Sequence, residues 1–134
     1  MTTTPVDFDQ ALSRIGRGKY VSLTTFRQTG QAVPTPVGCL VRDGTLYALT
    51  PPDSGKAKRI RNSGRVLIEP CSMQGAVPAD ATAVEGTARL LDEAETRRVE
   101  AMMVRRFLMY RLVRLVDVLT RRRRSLVAVA VTAS

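Results

Sequence analysis

Apolar residues fall at helical spacing from Phe8 onward, with Phe8, Ala11, Leu12 and Ile15 on one face. Gly16 and Gly18 close that run, so a short helix is expected over Phe8–Gly18. The pattern then shortens to that of strands. Tyr20–Phe26 is rich in β-branched and aromatic residues, and Gln28-Thr29-Gly30-Gln31 after it is a turn signal. Val33–Arg42 reads as the hairpin partner, with Val37, Cys39 and Val41 on one face. Pro34 and Pro36 near its start imply an edge or an interrupted ladder, because proline has no N–H to donate. Asp43-Gly44 is a two-residue hairpin signal leading into Thr45–Thr50.

Pro51-Pro52-Asp53-Ser54 breaks the strand pattern and caps a helix over Gly55–Asn62, which Asn62-Ser63-Gly64 ends. Arg65–Glu69 is a short fourth strand, and Pro70–Ala81 is loop. Thr82–Leu91 alternates, with Val84, Gly86, Ala88 and Leu90 inward and Glu85, Thr87 and Arg89 outward. Asp92-Glu93-Ala94-Glu95 opens a long helix with acidic groups at its positive end, running to about residue 120. Ser125–Thr132 is a final strand.

Hairpin-linked strands give an antiparallel sheet, and closing six of them into a small barrel removes the free edges. The fold class expected is therefore mainly β, a six-stranded antiparallel barrel with flanking helices, in a single domain over residues 1–134. Residues 1–18 would form its N-terminal helix, and residues 92–124 a long basic helix before the last strand.

Composition narrows the chemistry. The 134 residues contain no histidine, which removes Ser-His-Asp and Cys-His catalysis and the commonest zinc ligand, so no metal site is expected. There is no run of about 18 apolar residues of the kind that spans a bilayer, and Met1–Gln10 has no apolar core like that of a secretory signal. Cys39 and Cys71 read as reduced, buried residues of a cytoplasmic protein. The net charge of +9 favours anionic partners. The basic residues fall into two groups: Lys56, Lys58, Arg59, Arg61 and Arg65, and ten arginines between Arg97 and Arg124.

The first group sits where a strand ends and a helix begins, in Thr50-Pro51-Pro52-Asp53-Ser54-Gly55-Lys56-Ala57-Lys58-Arg59. Helix N-termini present unpaired N–H groups and a positive dipole end. Thr50 and Ser54 can donate to phosphate oxygens, Gly55 lets backbone approach closely, Lys56 carries a full charge, and Lys58 and Arg59 raise the potential. The stretch is not a P-loop: Ala57 follows Gly55-Lys56, and no glycine stands five residues before Gly55. Nor is there a dinucleotide fingerprint, since Val21 occupies the third glycine position after Gly16 and Gly18. A serine cap followed by lysines is also compatible with an ordinary solvated helix start.

Four segments in this order and spacing resemble the pyridoxamine-phosphate-oxidase-like split-barrel superfamily, and within it the deazaflavin-dependent oxidoreductases. They are Tyr20–Thr25, Val33–Val37, Leu46–Lys56 and Val84–Arg89. The resemblance implies an FMN-binding type of split barrel that works as a homodimer with the cofactor at the subunit interface. It implies that Thr50, Ser54 and Lys56, with Gly55, Lys58 and Arg59 nearby, bind the cofactor phosphate. It further implies that Thr35, Pro36, Val37 and Gly38 run beneath the ring of coenzyme F420 or, alternatively, FMN. Relatives often carry a bulky aromatic at the position of Gly38, so the ring or substrate pocket here is expected to be wider. The reaction implied is hydride transfer between the reduced cofactor and a small conjugated substrate. Tyr47 and Tyr110 are candidate proton donors with a structural role as the alternative, and Cys39 is better read as an inert thiol.

The run Arg105–Val116, extended by Arg121–Arg124, is basic and amphipathic. It can pack on the barrel or a dimer mate, or lie at a membrane surface with arginines on phosphates. It can also meet an anionic cofactor tail; little aromatic surface is interleaved for nucleic acid. The leading expectation is an F420-dependent oxidoreductase in the cytoplasm or peripheral at a membrane. The alternatives are an FMN protein of the same fold, a non-catalytic cofactor carrier, and a basic membrane- or nucleic-acid-binding module.

Overall fold

The computed structural model describes residues 7–106 and 126–134. Its elements are α1 (Phe8–Arg17), β1 (Tyr20–Phe26), β2 (Ala32–Arg42), β3 (Thr45–Thr50), α2 (Gly55–Asn62), β4 (Arg65–Pro70), β5 (Val84–Leu90), α3 (Glu93–Arg106) and β6 (Val127–Ala133). The six strands form a closed antiparallel barrel in the order β1-β2-β3-β6-β5-β4. This is the barrel expected from the sequence, with three helices flanking it.

The turns follow from their residues. Arg27 N–H donates to Gln31 C=O at 2.9 Å and Gly30 N–H to Arg27 C=O at 2.8 Å, closing the β1–β2 hairpin. Arg42 faces Thr45 across the two-residue Asp43-Gly44 turn. Asp7 caps α1 by accepting from the Gln10 N–H, and Asp92 accepts from Glu95 N–H at 2.8 Å at the start of α3.

The interior is built from alternate residues of every strand. Val21, Leu23, Leu46, Val66, Ile68, Val129 and Val131 are fully buried there, and α1 adds Ala11, Leu12 and Ile15. Outside the barrel, α3 lays Val99 and Met103 on Leu40, Ala128 and Ala130, with Tyr47 and Leu49 packed at the margin. Arg106 fastens this layer to the rest. Its guanidinium donates to the carbonyls of Cys39 and Gly16, at 3.1 Å each, and to that of Gly18.

Strand β2 is divided. From Cys39 to Arg42 it pairs with β3, whereas from Ala32 to Gly38 it pairs only with β1. Cys39 N–H donates to Lys19 C=O and Arg27 N–H to Gln31 C=O, so odd-numbered residues bond across the β1–β2 ladder. Pro34 and Pro36 therefore turn their N–H-less nitrogens to the edge that β3 leaves uncovered, where nothing is lost. The edge inferred from the two prolines is the split in the barrel.

Several boundaries differ from the sequence reading. Strand β5 begins at Val84, opposite Ile68, rather than at Thr82: its ladder with β4 stops there, although β4 itself continues against β1. Strand β2 starts one residue earlier, at Ala32 opposite Phe26, and β4 runs on to Pro70 opposite Val21. Helix α1 stops at Arg17, where the Gly18 N–H bonds back to Ile15 C=O. Cys39 is buried as expected, but Cys71 is only partly so, since it follows the end of β4. The expected helix beyond Arg106, including Tyr110 and Arg121–Arg124, lies outside the described residues. Among the described residues no helix is long and apolar enough to cross a membrane, and no group of acidic or thiol side chains could hold a metal.

Candidate functional site

The end of β3 and the start of α2 meet over one mouth of the barrel. Thr50 is the last inward residue of β3 and only 3% exposed. The chain turns through Pro51-Pro52-Asp53, and the Ser54 N–H donates to Pro51 C=O at 3.1 Å. Ser54 caps α2 by accepting from the Ala57 N–H at 3.1 Å. Ala57 and Ile60 then bury the inner face of the helix, with Ile60 reaching the barrel interior. This anchoring leaves Gly55, Lys56, Lys58 and Arg59 around the helix start.

Thr50 Oγ1 and Ser54 Oγ lie 2.8 Å apart. Either hydroxyl can donate; where Thr50 does, Ser54 Oγ accepts from both Thr50 and the Ala57 N–H, and its own O–H is left to donate outward. The Gly55 and Lys56 N–H groups lie in the first turn, where a helix supplies no acceptor. The Lys56 ammonium is half-buried; that burial, and to a lesser extent the charge of Arg59, holds its pKa below the ordinary lysine value. A site that makes a cation costly is one that an anion stabilises.

Arg59 completes the cluster. Its side chain runs back toward its own helix N-terminus, as helical side chains do. Nε–H donates to Thr25 Oγ1 of β1 at 2.6 Å, and a Cβ on Gly55 would stand 2.7 Å from Arg59 Nη1. Glycine at position 55 is thus a steric requirement of the guanidinium lying across it. An open depression of about 720 Å³ continues from here, lined by Gly55, Lys58, Arg59 and Arg61 of α2 and by Arg27 and Thr29 of the β1–β2 turn. None of the three ion pairs among the described residues involves these side chains.

The structure therefore brings Thr50, Ser54, Gly55, Lys56, Lys58 and Arg59 together at one helix start. The second group of expected residues sits on the split part of β2. Thr35 and Val37 share the barrel-side face with Leu23 and Val21, and Thr35 Oγ1 donates to Leu23 C=O at 3.3 Å. Pro36 and Gly38 take the opposite face, beside Ser22 and Tyr20. The four residues thus divide between two faces rather than forming one floor. Tyr47 stands apart from both groups: it packs against α3 in a groove with Arg42, Arg98 and Arg105, which supports its structural reading. Burial pushes the Cys39 thiol up to about 12, so it is neutral and unreactive.

Sequence reasoning missed Thr25 and Arg27, and it counted Arg61 in the basic group without assigning it to the site. Thr25 left one signal, a hydroxyl at the inward position that follows Val21 and Leu23.

No family model and no curated protein matches the chain. Solved structures do. A protein from Listeria innocua, provisionally assigned as a pyridoxamine 5'-phosphate oxidase, aligns with a TM-score of 0.61 at 15% identity, over 93% of this chain and 91% of its own. The fold is that of the pyridoxamine 5'-phosphate oxidase-like split barrel. A FAD-binding protein from Mesorhizobium loti shares that fold with a TM-score of 0.62 at 13% identity, over 91% and 84% of the two chains. The heme storage protein HutZ from Vibrio cholerae shares it with a TM-score of 0.66 at 13% identity, over 96% and 91%.

Proposed function

We propose that the chain binds a phosphate-bearing flavin-type cofactor, with the phosphate at the junction of β3 and α2, and that it is an oxidoreductase dependent on coenzyme F420. The observation that carries the reading is the convergence of Ser54, Lys56 and Arg59 on one helix start, with Gly55 open beneath the guanidinium. These residues fit a phosphate group: two cations, a hydrogen-bonded pair of hydroxyls and two first-turn N–H groups.

The deazaflavin, when bound, supplies a hydride to a conjugated acceptor. The protein's part is to bind and orient. Lys56 and Arg59 neutralise the phosphate, Lys58 adds to the field, and Thr50 orients the Ser54 hydroxyl. Thr35, Pro36, Val37 and Gly38 form the strand along which the ring lies, and Gly38 leaves room where a side chain would narrow the pocket. A second copy of the chain is proposed to complete that pocket against the open part of β2, so the working unit is a homodimer. The second reading keeps the site and replaces the cofactor by FMN; the likeness to the Listeria innocua and Mesorhizobium loti proteins favours it. The long basic segment around Arg105 and Arg121–Arg124 is left to packing or to a peripheral membrane contact.

The test is titration of the purified protein with coenzyme F420 and, separately, with FMN, following cofactor fluorescence, with Lys56→Ala as control. Tight F420 binding lost in the variant supports the oxidoreductase reading and calls for a substrate screen. A preference for FMN moves the protein to the second reading, and binding of neither overturns both.

A further inference from the structure

The inner face of β1 carries Val21 and Leu23 in the barrel interior, and the same alternation puts Thr25 next. An apolar residue belongs there. Thr25 is 1% exposed, and a hydroxyl at that depth is costly unless it is hydrogen-bonded. Its partner is Arg59 Nε–H, at 2.6 Å and 34 residues away in sequence.

The bond has two consequences. Fixing Nε–H fixes the plane of the guanidinium, because the group is rigid and planar. The plane so fixed lies across Gly55, where no side chain obstructs it. The acceptor is also neutral. A carboxylate in place of Thr25 would hold the arginine equally well but would cancel its charge. No ion pair among the described residues involves Arg59. Among the described residues, the guanidinium is thus held in place with its charge and both terminal amino groups uncommitted.

We propose that Thr25 is a positioning residue for anion recognition: it locks Arg59 across Gly55 so that the guanidinium meets the ligand's phosphate without loss of charge. This rests on the phosphate reading of the β3–α2 junction.

The experiment measures affinity for two ligand pairs that differ by the phosphate: FMN with riboflavin, and coenzyme F420 with its phosphate-free deazaflavin alcohol. The quantity read is the preference for the phosphorylated member. Thr25→Val keeps the shape and removes the acceptor, and should cut the preference by about tenfold, the scale of one charge-assisted hydrogen bond. Thr25→Ser, which keeps the hydroxyl, should restore it. Arg59→Lys, which keeps the charge but lacks Nε–H, should match Thr25→Val and serves if the buried variant folds poorly. Affinity for the phosphate-free ligands should not change. If Thr25→Val and Arg59→Lys leave the preference at the wild-type value while Lys56→Ala collapses it, the role of Thr25 is overturned and the phosphate reading stands. Equal loss for both members of a pair makes Thr25 structural and overturns the proposal. If the wild-type protein shows no preference, or binds neither pair, the phosphate reading fails and this proposal with it.

Discussion

The hydroxyls of Thr50 and Ser54 lie 2.8 Å apart across the junction of β3 and α2, although one residue belongs to a buried strand and the other caps an exposed helix. The bond ties the orientation of the helix start to the barrel wall. Thr50→Val removes the hydroxyl paired with Ser54 and leaves the shape. It should weaken binding of the phosphorylated cofactor with little effect on thermal stability. Ser54→Ala loses the cap as well, and should destabilise the fold by about 1 kcal/mol in addition to weakening binding. Denaturant unfolding and cofactor titration of the two variants separate these effects.

Gly55→Ala sets stability against binding. Alanine favours the helix over glycine. Its methyl group would stand 2.7 Å from Arg59 Nη1, at the end of a side chain that can move aside. The variant should unfold at or above the wild-type temperature while its cofactor affinity falls, as calorimetry and titration would show.

Lys56 gives the site a pH dependence. Burial, then the charge of Arg59, lowers its pKa from the ordinary lysine value of 10.5. The free site therefore loses this proton at a lower pH than an exposed lysine would, and anion affinity is lost as pH rises through that lowered value. A bound phosphate favours the charged ammonium, so binding on the alkaline side should take up a proton. Calorimetric titration in buffers of different ionisation enthalpy measures this uptake, which should be absent in Lys56→Ala.

Cys39 gives a pH dependence to folding rather than to binding. Burial raises its thiol from about 9.0 to about 12 in the folded chain. Below pH 9 the thiol is neutral in both states and costs nothing. Between about 9 and 12 only the unfolded chain ionises, so stability falls with rising pH across that window. Cys39→Ala should flatten the fall in an unfolding series taken from pH 8 upward, and Cys39 should resist alkylation until the protein is denatured.

Much of the barrel was legible because its strands follow a period of two. Val84, Gly86 and Ala88 alternate with Glu85, Thr87 and Arg89, and the burial observed follows that alternation. Pro34 and Pro36 located the split, since a missing N–H is tolerated only at an uncovered edge. The start of β5 was not legible: Thr82 and Ala83 carry the strand pattern on, but the chain leaves the ladder after the Ile68–Val84 pair although β4 itself continues to Pro70. The pairing of β3 with β6 was equally hidden, because register between distant strands depends on closure and not on local pattern. At the site, Ser54, Gly55 and Lys56 could be read because they are consecutive at a helix start. Thr25 could not, because its partner is remote in sequence and nothing near it announces an arginine.

The central claim is that the β3–α2 junction holds the cofactor's phosphate. Amide chemical shifts of isotope-labelled protein, recorded with FMN and with riboflavin, and with coenzyme F420 and its phosphate-free alcohol, test it most directly. The account predicts that the Gly55 and Lys56 N–H resonances move with the phosphorylated ligand of a pair and stay near their free positions with the other. Movement that is the same for both members, or that leaves Gly55 and Lys56 untouched while a phosphorylated ligand binds, would contradict it.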